Sequence, residues 1–222
     1  MAATYRRSIW RRLLNGPVRV LRCVGLGLRR TTGWTRIDQF KMLRNWARAE
    51  ATSPQREMSE VIGGWPAETQ RKLYAGQHEA LSEAEWRMLE AGIVLTRQPL
   101  LVGLLWLQPQ WYQRDVPVEM LADMRIINFS PFVQKASSRK LADLAEAERG
   151  GATAGKSEFS LDKMVGLPIA VGLSFDGPFC LVEGYTRCCT ILRDYKDGTF
   201  QHRQVPFIVG VSERIVEWSW WW

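Results

Sequence analysis

The sequence predicts a mixed α/β (α+β) fold, a compact mixed sheet with helices, preceded by a mainly helical region. Three observations carry that prediction. Between residues 38 and 113, apolar side chains recur at three- and four-residue intervals, the period of helices buried on one side. After "QRDVP" the character changes, and short apolar runs follow in the order strand, helix, strand, strand, helix, strand. With 222 residues, 46% of them apolar and 24% charged, the chain has ordinary globular composition and length for one sizeable domain, or one with an appendage.

The elements follow in chain order. "IDQFKMLRNWARAE" opens the helical region (38–114), with Phe40, Leu43 and Ala47 on one face and Trp46 at its edge. "WPAETQRKLYAG" has Pro66 where a first helical turn tolerates it and Gly76 where a helix stops. "LSEAEWRMLEAG" opens with Ser82 and Glu85 at capping-box spacing and turns Leu81, Trp86, Leu89 and Ile93 to a core. The longest apolar run, "PLLVGLLWL" at Pro99–Leu107, is about half of the roughly 20 residues a membrane helix needs, so a buried element and no transmembrane segment are expected.

In the α/β part (115–212), "MRIINF" (Met124–Phe129) reads as a short strand, and "SSRKLADLAEAERGG" as a helix capped by Ser137 or Ser138. "LPIAVGLSF" and "FCLVEG" are strands joined by the turn signal Asp176–Pro178. "YTRCCTILRDYKDG" is a helix ending near Gly198, and "VPFIVGV" a final strand. The Trp-rich tail (213–222), "ERIVEWSWWW", is a last helix or a clamp of aromatics.

Charge is unevenly spread. Residues 1–50 carry 12 Lys/Arg against only Asp38 and Glu50, whereas residues 51–222 carry 18 basic and 21 acidic residues. The overall +7 therefore belongs to a basic N-terminal arm (1–37), expected to be poorly ordered, and not to the fold. An arm of this kind can be a transit-peptide-like segment, an interfacial helix, or a strap that neutralises DNA or RNA phosphates. It can also be a plain extension ahead of a start near Met42. Cys23, Cys180, Cys188 and Cys189 show no CxxC spacing, so reduced thiols and a cytoplasmic location are expected, with no metal-ligand set.

Two phosphate patterns compete. "GGATAGKS" (Gly150–Ser157) matches the Walker sequence, but that loop works only between a buried strand and a helix. Here a charged amphipathic helix precedes it, and Gly166 and Pro168 soon follow, so a small-residue loop is expected. "LVEGYTRCCTIL" has the opposite merit. A buried strand ends at Glu183, Gly184 lets backbone approach a ligand, and the helix that follows offers free N–H groups with a partial positive charge. Thr186 adds a hydroxyl and Arg187 a planar fork suited to phosphate or carboxylate. Glu183 can act as a base or hold a metal, or simply pair with Arg187.

This strand–G-x-x-R–helix element, Gly184-Tyr185-Thr186-Arg187, resembles the signature of the ParB/sulfiredoxin superfamily, with residues 115–212 similar in element order. It looks most like stand-alone ParB-like proteins with an "EGxTR" element. The resemblance implies that Gly184 and Arg187 hold nucleotide phosphates, with Tyr185 and Thr186 alongside, and it suggests a nucleoside triphosphate with magnesium as the ligand. Sulfiredoxins place their catalytic cysteine directly after the glycine. Tyr185 stands there in this chain, so sulfiredoxin activity is not expected.

Three functions stay open at this point. One is a phosphotransferase or nuclease with Glu183 as its catalytic group. Another is a non-catalytic nucleotide- or nucleic-acid-binding module, and the third an interaction protein that binds a protein partner through its tryptophan tail. His78 reads as a solvated loop residue, and His202 could approach the site.

Overall fold

The apolar runs marked as strands assemble into one six-stranded sheet. The computed structural model describes residues 33–52, 56–148 and 160–222. Its strands are β1 (Thr35–Ile37), β2 (Gln110–Pro117), β3 (Arg125–Ile126), β4 (Ile169–Gly172), β5 (Phe179–Glu183) and β6 (Gln204–Val211), in the spatial order β1-β2-β6-β4-β5-β3. β2 runs antiparallel to β1 and β6, and β4 antiparallel to β5, while β4–β6 and β3–β5 are parallel pairs. The helices are α1 (Gln39–Thr52), α2 (Arg56–Gly63), α3 (Ala67–Tyr74), α4 (Glu83–Thr96) and α5 (Gln98–Trp106), then α6 (Val118–Asp123), α7 (Ser130–Lys135), α8 (Leu141–Ala147) and α9 (Tyr185–Lys196).

Ala170, Leu181, Val205, Phe207 and Val209 project into a core that Leu121 of α6, Leu144 of α8 and Cys188, Ile191 and Leu192 of α9 complete. Their neighbours of opposite parity, Ile169, Val171, Cys180, Val182 and Ile208, are buried as well. Strands covered on both faces read as continuous apolar runs, which is why these segments were legible as strands although no alternation marked their faces.

The helical region does not end at residue 114. β2 crosses that position, and Gly33–Trp222 is one compact unit. β2 mixes Trp111, Tyr112 and Val116 with Gln113, Arg114 and Asp115, so polar residues break its apolar pattern and its partner β6 supplies the burial. β1 also lies ahead of Met42, which sits fully buried inside α1. On that helix Met42, Leu43, Trp46 and Ala47 face inward, while Phe40, expected in the core, is 46% exposed. The capping box of α4 is present: Ser82 Oγ accepts the Glu85 N–H, and the Glu85 carboxylate accepts the Ser82 N–H at 2.7 Å. α5 buries Leu100, Leu101 and Leu104 but leaves Trp106 71% exposed. Among the described residues no single helix is long and apolar enough to cross a membrane.

Two expected elements differ. Of "MRIINF" only Arg125–Ile126 pairs in the sheet. The helix expected after Ser137 is α8, which begins at Leu141 behind Lys140 rather than at a serine cap, and an unforeseen helix, α7, ends ahead of it at Lys135. Between them Arg139 adopts φ 59°, and its guanidinium donates to the carbonyls of Ile126 and Trp221, each at 2.9 Å. These tertiary bonds hold a left-handed residue that local propensity disfavours. The tail is part of the fold through the same arginine. Trp218 and Trp221 are each 2% exposed, and the Trp220 carbonyl accepts the Asn128 N–H at 2.9 Å. The tail is the clamp of aromatics that was one of its two expected forms, with Trp222 61% exposed at its end.

His78 corrects another expectation: it is 2% exposed, not solvated. Its Nδ1 lies 3.0 Å from the Gly76 carbonyl, its ring stacks near Trp86, and its Nε2 is buried without a hydrogen-bond partner. Burial first, then the Arg48 charge, holds its pKa below the ordinary 6.5. The native state therefore keeps the ring neutral, while the unfolded chain protonates it below about pH 6.5. Stability from this group is present above that pH and lost as pH falls through it. Relative to its own value at pH 7, the urea midpoint at pH 5 is expected to be higher in His78→Phe than in the wild type; an unchanged difference between the two pH values would refute the assignment.

Candidate functional site

β5 ends where Glu183 leaves the sheet, and one residue turns the chain into α9. Gly184 makes that turn at φ 93°. A Cβ there would lie 2.9 Å from the Pro168 Cβ and 3.1 Å from its Cα, so both the conformation and the space require glycine. The Gly184 carbonyl accepts the Cys188 N–H at 2.9 Å and starts the helix. By helix geometry the N–H groups of Tyr185, Thr186 and Arg187 find no acceptor within α9.

This helix start opens into a cavity of about 510 Å³. Glu183, Gly184, Tyr185, Thr186 and Arg187 all line it, so the five residues singled out in the sequence do share one site. They play different parts. Thr186 is exposed. Arg187 is committed: it donates to Glu183 Oε1 at 2.7 Å and Oε2 at 2.5 Å, and to the Gly166 carbonyl at 2.7 Å and that of Val165. Its fork thus ties the strand end to the loop before β4. The same loop is held from the other side by Asn45 of α1, whose amide donates to the Leu167 carbonyl at 2.8 Å and accepts the Leu167 N–H at 2.7 Å.

Tyr185 is a brace. Its hydroxyl donates to the Leu181 carbonyl and accepts the Ile127 N–H at 3.2 Å, linking β5 to the end of β3. Burial pushes the phenol well above its ordinary 10, which removes it as a proton carrier. Glu183 is the unusual acid. Burial pushes its carboxyl up to about 7, with the Arg187 guanidinium pulling down and the Glu50 carboxylate pushing up. A group that titrates near neutrality can give or take a proton in catalysis. The thiols cannot serve: burial raises Cys189, on the cavity wall, to about 12, and raises Cys188 well above its ordinary value.

The opposite wall comes from the helical layer and was not foreseen. Trp46 and Glu50 of α1 line the cavity, with Arg97 at the α4–α5 bend. Arg97 donates to Glu50 Oε1 from Nε at 3.1 Å and Nη2 at 2.8 Å, and the Trp46 indole reaches the same oxygen at 3.4 Å. The one available signal was Glu50 itself, one of only two acids in the first 50 residues. Phe129, Phe132 and Trp220 supply aromatic walls that no local spacing could link. His202 is exposed and not among the lining residues, and Asp176 is exposed on the β4–β5 turn. The Walker match at Gly150–Ser157 and most of the arm lie outside the described residues. Among the described residues no group of three or more His, Cys, Asp or Glu side chains could hold a metal.

No protein-family model, curated protein or solved structure matches the chain. The site therefore rests on its own residues and geometry.

Proposed function

We propose that this cavity binds a phosphorylated small molecule of the nucleotide class. One observation carries the reading: the open N-terminus of α9, with Thr186 at its first turn, shares a cavity of about 510 Å³ with a set of aromatic walls. Backbone N–H groups and the helix dipole favour an anion at that end. The strand–Gly184–helix arrangement and the resemblance to ParB/sulfiredoxin-like proteins support the same assignment. The role of Arg187 is to fix the frame around the anion, since its fork is filled by Glu183 and two carbonyls. Should the bound phosphate react, as in a phosphotransferase or nuclease, Glu183 is the group suited to move the proton.

Thr186→Glu tests this at an exposed position. A carboxylate in the first turn of a helix favours folding by about 0.3–1 kcal/mol, yet it repels a phosphate at the same spot. The variant is expected to melt at or slightly above the wild-type temperature and to lose all stabilisation by a panel of nucleotides. Retained nucleotide stabilisation would move the anion away from α9.

A further inference from the structure

A second surface lies on α5 and the tail, and what it binds is independent of the nucleotide reading. A helix at the outside of a domain ordinarily carries charges on its outer face. α5 carries none, since no charged residue stands between Arg97 and Arg114. With Leu100, Leu101 and Leu104 turned inward, Val102 and Leu105 are left partly exposed and Trp106 largely so. Across a groove of about 420 Å³ from Val102 and Trp106 stand Glu217 and Ser219 of the tail. The Trp218 indole donates to the Leu100 carbonyl at 3.2 Å and fixes the two sides together. Val216, the neighbour of Glu217, is exposed, and its carbonyl accepts the Trp222 indole N–H at 2.7 Å, so the open Trp222 ring is pinned beside it. Apolar surface thus continues from Trp106 to Trp222.

The charge on this corner is positive. The Arg125 guanidinium lies 5.4 Å from the ring centre of Trp221 and 5.9 Å from that of Trp222. Arg139, which feels the Arg125 charge, donates to carbonyls alone. Among the described residues neither arginine forms an ion pair, whereas Lys140 is paired with Asp123 at 2.8 Å and Arg214 with Glu217 at 2.6 Å. Cations without acids, set beside open indoles, match an anion that adjoins apolar material. A bilayer interface is such a place: indoles lie at headgroup level and guanidinium groups reach lipid phosphates. Other occupants fit less well. Nucleic acid supplies anions but no apolar bulk for Val102, Leu105 and Val216. A second copy meeting this face about a twofold axis sets Arg125 against the same positive patch. The nine arginines of residues 1–37, with no acid among them, add a second attraction to an anionic membrane. We infer that the corner formed by α5 and the tail docks peripherally on an anionic lipid bilayer, with Trp106, Val216 and Trp222 at headgroup level and Arg125 on lipid phosphate.

Co-sedimentation of the full chain with vesicles tests this, using phosphatidylcholine alone and an equal mixture of phosphatidylcholine with phosphatidylglycerol. Binding to the anionic vesicles is expected to be about tenfold or more tighter and to weaken as salt is raised. Arg125→Gln is expected to cost about fivefold, the share of one cation. Trp106→Gln combined with Trp222→Gln changes two exposed positions; it is expected to keep the wild-type melting temperature and to weaken vesicle binding about tenfold or more. Lipids brominated along the acyl chain are expected to quench part of the wild-type tryptophan emission, and less of the double variant's. Equal binding to both kinds of vesicle, absence of quenching, or a double variant that binds as the wild type does would each overturn the inference, the last by leaving the arm as the only attachment. A wild-type dimer that the double variant loses, or an oligonucleotide bound where vesicles are not, would hand the face to a second copy or to nucleic acid and overturn it as well.

Discussion

Arg187→Ala is expected to lower the unfolding free energy by about 3 kcal/mol at pH 7, the range seen when one partner of a buried ion pair is removed. The pair is largely shielded, with Arg187 and Glu183 side chains 18% and 16% exposed. Alanine strips donors from the Val165 and Gly166 carbonyls and leaves the Glu183 carboxylate alone. The deficit is pH-dependent. In the native protein Glu183 titrates near 7 against an ordinary 4.5, so its contribution is fully present below about pH 4.5 and is lost as pH rises through 7. Without the guanidinium the carboxyl rises further, and the folded variant keeps its proton to higher pH. The deficit is therefore smaller at pH 6 than at pH 9. Urea unfolding at the two values measures it, and adding Glu183→Gln to the variant should remove the slope. A deficit under 1 kcal/mol, or one that shrinks as pH rises, would show that Arg187 is not the clamp described.

How far the site was legible depended on how far apart in sequence its parts lie. Residues 183–187 announced themselves because strand, turn and helix start are contiguous, and only glycine fits between Pro168 and Arg187. The same stretch could not reveal that Arg187 would be spent on Val165 and Gly166, since those bonds reach back 22 and 21 positions across two strands. Glu50 and Arg97 lie 47 positions apart, and nothing in either helix points to the other. β2 was lost to its polar centre, and Phe40 was placed inside because helical period alone fixes a stripe and not which edge of it meets the core. Strand segments with burial on both faces, by contrast, were read within a few residues of their ends.

The second large effect concerns the tail. Trp218→Ala is expected to cost about 3–5 kcal/mol, the range for emptying a buried aromatic site. Trp218 is 2% exposed, its indole N–H donates to the Leu100 carbonyl at 3.2 Å, and a Cβ on Gly103 would come within 3.2 Å of its ring. Helix α5 thus closes onto this one indole with no slack to fill the void. Trp222→Ala is the contrast: 61% exposed, it is expected to cost under 1 kcal/mol. The two variants also separate clamp from display. Leu100 and Trp220 both line the cavity, whereas Trp218 does not, so loosening Trp218 weakens ligand binding from outside the site. A tail that served only as a docking surface would give the reverse order, with Trp222→Ala abolishing partner capture and Trp218→Ala leaving both melting temperature and nucleotide affinity unchanged. Chemical denaturation and nucleotide titration of both proteins distinguish these outcomes, because the clamp ties stability and affinity to the same buried ring.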